Sequence, residues 1–114
     1  MKTVLVILLL SISFHASALQ VIMENGCPVR VDNGGSACPG NSAAACVSNG
    51  SVVRWSADGI INDVYKKSGS ADLHNCRSAG PQDFQCVVQG QSGDSVDYGI
   101  IVDGCDLDPR IIIK

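Results

Sequence analysis

Large side chains are scarce in this chain. Two Phe, two Tyr and one Trp are its only aromatics, 4% of 114 residues. No stretch of ten or more residues carries an apolar period of 3.6, which excludes a helical bundle. No C-x-x-C is present: the gaps between successive cysteines run to ten, seven, twenty-nine, nine and eighteen residues. Finger-type zinc sites need two to four, so neither a structural metal nor a cofactor is expected. There is no G-x-S-x-G elbow, and beyond residue 18 His74 is the only histidine. It lies among Asp72, Asn75 and Cys76 and reads as an exposed loop residue. Basic side chains are also few. Eleven carboxylates face seven Lys and Arg in residues 19–114, a balance that repels polyphosphate. Nucleic acid and anionic membranes are therefore not expected partners.

What is present starts with an export pattern. Lys2 precedes an apolar run over residues 4–14, and Ala16-Ser17-Ala18 then offers a small-x-small cleavage site. The run is too short to span a bilayer. Residues 1–18 read as a signal peptide and residues 19–114 as one secreted domain. Outside the cell its six cysteines, Cys27, Cys38, Cys46, Cys76, Cys86 and Cys105, are expected to pair. Fifteen pairings are possible, and the spacing does not choose among them. Three bridges would offset the thin core of a small domain.

Turn signals recur along the chain: Asn25-Gly26, Asn33-Gly34-Gly35, Pro39-Gly40, Asn49-Gly50, Asp58-Gly59, Ser92-Gly93 and Asp103-Gly104. Between them lie β-prone runs at residues 19–23, 27–31, 52–55, 60–67, 83–89, 96–102 and 110–113. Asn49-Gly50 reads as a hairpin turn. Residues 43–45 could hold one helical turn, and residues 68–70 read as a loop. Such spacing predicts an all-β, disulfide-stabilised, mostly antiparallel sandwich. Trp55 and Phe84 are assigned to its core. Tyr65 and Tyr98, each with a polar tip, are assigned to the surface. Asn49-Gly50-Ser51 is also an N-glycosylation acceptor.

Three segments carry a resemblance. The run VIMENGCPVRV at residues 21–31, PQDFQCVV at 81–88 and VDYGIIVDGCDLDP at 96–109 resemble, in order and spacing, pieces of thaumatin-like proteins. The resemblance implies a thaumatin-like β-sandwich reduced to its central sheets. It further implies an acidic cleft built from an arginine and several carboxylates. Asp83 takes the place of the family's glutamate before Phe84, and Asp103 that of the aspartate in the Val-Asp-Gly turn. Asp97 stands one residue from the strand aspartate, at whose strict position lies Tyr98. The family's arginine before the strand aromatic has no counterpart: Asp63 stands there, and Lys66 and Lys67 are the nearest cations.

The expected function is therefore extracellular and non-catalytic. A monomeric defence or virulence (effector) protein would bind cell-wall polysaccharide or an extracellular target. Asp83, Asp97, Asp103, Tyr65 and Tyr98 are the cleft candidates. Two other classes compete. One is an effector, toxin or inhibitor that targets a protein and needs no cleft. The other is a weak glycoside hydrolase, in which Asp83 and Asp103 would be the paired carboxylates.

Overall fold

A computed structural model describes residues 16–114. The signal-peptide reading thus falls outside the described residues except at residues 16–18. Eleven strands hold about 70% of the described residues: β1 Ala16–Glu24, β2 Cys27–Asp32, β3 Ala37–Cys38, β4 Asn41–Val47, β5 Val52–Ser56, β6 Ile61–Gly69, β7 Asp72–Gly80, β8 Asp83–Gln89, β9 Ser95–Val102, β10 Cys105–Leu107 and β11 Arg110–Ile113. Among the described residues the only helical piece is a single 3₁₀ turn at Gly34–Ser36. The all-β expectation holds.

The strands form two sheets. The first runs β2-β1-β5-β8-β7. The second runs β10-β9-β11-β4-β3, with β6 along the remaining edge of β9. Two of the pairings, β1 with β5 and β11 with β4, are parallel. Both sheets are therefore mixed, which turn spacing does not reveal. The Asn49-Gly50 turn is not a hairpin either, since it joins β4 of the second sheet to β5 of the first. True hairpins form at Asn25-Gly26 and Asp103-Gly104. There both residues have positive φ (53° and 80°; 49° and 81°), the requirement of the tight turn that matches strand twist.

Two stretches, one of small residues and one polar, are strands against expectation. Residues 43–45, read as a helical turn, lie within β4, where β3 and β11 supply hydrogen bonds on both sides. His74, assigned to a loop, sits on β7, which pairs with β8. β7 buries little of its surface, so it carries no apolar alternation to announce it. Residues 68 and 69 likewise continue β6 rather than looping.

One core lies between the sheets. From the first come Leu19, Val21, Val31, Val53, Trp55, Phe84, Cys86 and Val88. From the second come Ala45, Val47, Ile61, Val64, Val96, Tyr98, Ile100, Val102, Ile111 and Ile113. The period of two is visible in β8 and β9, where alternate residues point inward. Trp55 and Phe84 are buried as expected. Tyr98 is a correction: it is 0% exposed, because Val96, Tyr98 and Ile100 share the inward face of β9. Its polar tip is satisfied inside, where Trp55 Nε1–H donates to its hydroxyl at 2.9 Å. The two rings meet at 5.2 Å between centroids, tilted by 56°.

All six cysteines pair: Cys27–Cys105, Cys38–Cys46 and Cys76–Cys86. The last two are local, joining β3 to β4 and β7 to β8. Cys27–Cys105 ties β2 of the first sheet to β10 of the second.

Candidate functional site

The five cleft candidates do not meet. Asp83 opens β8 on the first sheet. Its Oδ1 accepts from Ser56 Oγ at 2.6 Å, and Arg54 lies 3.6 Å from its Oδ2. Asp103 sits in the β9–β10 turn, where its Oδ1 accepts the Ile60 N–H at 3.0 Å and its own N–H donates to Ile60 O. That carboxylate holds the β5–β6 loop against the turn. Tyr98 is in the core. Only Asp97 and Tyr65 share a surface, the outer face of the second sheet.

This face is assembled by register. Asp97 and Tyr98 alternate on β9, so burial of Tyr98 turns Asp97 outward. Arg110 on β11 stands directly opposite Asp97. Its Nε donates to Oδ1 at 2.6 Å and its Nη2 to Oδ2 at 3.4 Å. On the other flank a register shift between Lys66 and Ser68 interrupts the β6–β9 ladder. The bulge lets Ser68 as well as Lys67 reach the outer face, and Ser68 Oγ lies 3.4 Å from Asp97 Oδ2. Tyr65 is opposite Gly99. A Cβ at Gly99 would fall 2.5–2.7 Å from the Tyr65 ring, so only glycine lets the ring lie flat across β9.

Beyond Tyr65 the hairpin to β10 brings in two more carboxylates. Tyr65 OH donates to Asp106 Oδ2 at 2.9 Å, and Lys67 Nζ reaches the same oxygen at 3.1 Å and also pairs with Asp108. The ammonium stands 5.5 Å from the Tyr65 ring centroid, in cation–π range. Two cations are thus interleaved with three carboxylates. The Arg110 guanidinium lowers the pKa of Asp97, and the Lys67 ammonium lowers that of Asp106. Asp108 and Asp106 raise the pKa of Lys67, and acceptance by Asp106 raises that of the Tyr65 phenol.

Stability should follow these shifts in sign. Asp72, Asp97 and Asp106 titrate below the ordinary carboxylate range, Asp72 through its bond to Lys66. Their contribution is complete above the unfolded value of about 4 and is lost as pH falls through their folded values. The urea midpoint is expected to stay flat from about pH 7 to pH 5 and then to fall below about pH 4. All three are exposed pairs, so added salt should shrink the effect. A midpoint that rose on acidification would contradict the assignment.

Two adjoining depressions lie at the charged groups. One, of about 520 Å³, is lined by Asn41, Lys67, Ser68, Asp97, Asp108 and Arg110 among others. The other, of about 630 Å³, is lined by the Val29–Gly34 stretch, Ala37, Ser42 and Leu107. They share Ala43, Asp108 and Pro109. Together they make an open trough running from the salt bridges to an apolar end, where Val29 is 41% exposed. Among the described residues, no group of three or more His, Cys, Asp or Glu converges as a metal site would require.

Sequence reasoning singled out Asp97 and Tyr65 on this face, and noted Lys67. It missed Arg110, Asp106, Asp108 and the permissive Gly99. Asn49 is exposed in its turn, with its Oδ1 accepting the Gly90 N–H at 3.1 Å, while Ser51 is buried and donates to Ser48 O at 2.6 Å. No family model matches the chain, and no curated protein matches it.

Proposed function

We propose that this is a secreted, non-catalytic binding protein, thaumatin-like in plan, that engages extracellular polysaccharide through the trough between β2 and the outer face of the second sheet. A single observation carries the reading. The Asp97–Arg110 pair and the Lys67–Asp106–Asp108 group are each held by their own ion pairs and line one open groove. Sugar hydroxyls pair well with such groups, which offer donors and acceptors in fixed orientation. Because these groups are already ordered, little freedom is lost when a chain of sugars settles on them. The half-buried Tyr65 ring adds an apolar edge beside them. Three disulfides in a small domain suit the oxidising surroundings of an exported protein. A defence or virulence role follows from binding another organism's wall.

The carboxylates favour binding over hydrolysis. Asp83 is engaged by Ser56 and Arg54, and Asp103 by the backbone of Ile60. Asp97 is held by Arg110, which favours its ionised form over that of a proton donor.

The apolar end of the trough supports a second reading, a protein target. Val29, Leu107 and Pro109 there would accept an apolar side chain of a partner.

The test is retention of the exported protein on insoluble β-glucan and chitin at low salt. Arg110→Ala and Asp97→Ala should each weaken retention by about tenfold, the loss of one charge-assisted hydrogen-bonding group. Asp83→Ala and Asp103→Ala should leave it unchanged. Absence of retention by the unaltered protein would rule out the polysaccharide reading and leave the protein target.

A further inference from the structure

β1 begins before the residue at which the leader is expected to be cut. Ala16, Ser17 and Ala18 pair in parallel with Val52, Val53 and Arg54 of β5, ahead of Leu19 with Trp55 and Gln20 with Ser56. The core, however, begins at Leu19, 2% exposed. Ala16 and Ala18 face solvent, and Ser17 is half-buried. Among the described residues, cleavage after Ala18 therefore removes three rungs of ladder and no core side chain. β2 does not cover the vacated place, because its register with β1 spans only Gln20 to Glu24.

We infer that cleavage opens a peptide-accepting slot along residues 52–54 of β5, closed at one end by the new amino terminus of Leu19. Its ligand is an extended peptide with a free C-terminal carboxylate and a small residue next to the last. Each element comes from the segment that fills the slot in the uncut chain. The parallel register sets the direction of the incoming strand, so that its C-terminal end arrives where Ala18 joined Leu19. The α-ammonium created there is mostly protonated at neutral pH and meets the carboxylate head to tail. The inward position is that of Ser17, beside the fully buried Val53, which admits only a small side chain. Backbone pairing supplies affinity, as in other strand additions to open sheet edges. The slot lies along β5, which lines no part of the trough, so the inference rests on export with cleavage after Ala18 and not on the trough.

The full chain, expressed in a secreting host with nitrogen labelling, is purified from the medium and its amino terminus is read by mass. The peptide Phe-His-Ala-Ser-Ala, residues 14–18 with a free acid, is then titrated against it. A Leu19 terminus with saturable amide shifts centred on Val52, Val53 and Arg54 is expected. The C-terminal amide should bind roughly threefold to fivefold more weakly, and the Ser17→Lys peptide should not saturate. A terminus at any other residue, no saturable shifts, or equal binding of acid and amide would overturn the inference. Failure of the polysaccharide assay would leave it untouched.

Discussion

Replacing Cys27 and Cys105 together by Ala is expected to destabilise the protein more than losing either other bridge. The Cys27–Cys105 loop spans 78 residues, against 8 for Cys38–Cys46 and 10 for Cys76–Cys86. In the chain-entropy account the long loop contributes about 4.5 kcal/mol and each short one about 2.5 kcal/mol. Small domains are stable by about 5–15 kcal/mol, so the first loss is a large fraction of the whole. Geometry points the same way. The short bridges join neighbouring strands already hydrogen-bonded to each other, whereas Cys27–Cys105 ties the sheets together. Cys86 is buried, so its replacement also leaves a small void and narrows the gap. Urea unfolding of the three double variants, unreduced, measures the order. A Cys27→Ala/Cys105→Ala protein as stable as the Cys38→Ala/Cys46→Ala one would contradict it.

The second large effect is expected at the Trp55–Tyr98 pair, where the sheets meet. Trp55→Ala should lose about 3–5 kcal/mol, from transfer of the indole and the cavity it leaves. Tyr98→Phe removes only an oxygen, yet strands the buried Trp55 N–H and should cost about 1–3 kcal/mol. Because the two groups satisfy each other, Trp55→Phe/Tyr98→Phe should cost less than the two single changes added together. Additive losses would show that the hydrogen bond carries no coupling. The same pair sets the alkaline limit. Burial raises the Tyr98 phenol far above its usual value, outweighing the Trp55 bond that lowers it. The stability linked to Tyr98 is whole below the unfolded value of about 10 and is lost as pH rises toward its folded value. Phenolate absorbance should therefore show one tyrosine, Tyr65, titrating while the fold persists. Tyr98 should ionise only with unfolding.

The contrast between the two tyrosines shows how far residue type carries. Both have a polar tip, which argued for the surface. Tyr65 obeys because Gly99 leaves it room on the outer face. Tyr98 does not, because its register on β9 points it inward and Trp55 supplies a buried donor. Asp97 follows from the same register: one position along β9, it is turned outward to Arg110. Trp55 and Phe84 were legible as core, since each lies on a β-prone run in a chain with few aromatic side chains to fill an interior. β4 and β7 were not legible. Small residues fill one and polar residues the other, and each is a strand because a neighbour across the sheet completes its hydrogen bonds.

Local chemistry was enough to specify short strands separated by glycine-rich turns and an even set of cysteines. Alternation and turn geometry act over a few residues, so those properties are written in the order of the chain. Folding alone decided which cysteines join, that two pairings run parallel, and that Asp97, Arg110, Lys67, Asp106 and Asp108 share one face while Asp83 and Asp103 do not. These depend on contacts between residues tens of positions apart, made when one apolar interior draws the two sheets together, and no local pattern encodes which partner arrives.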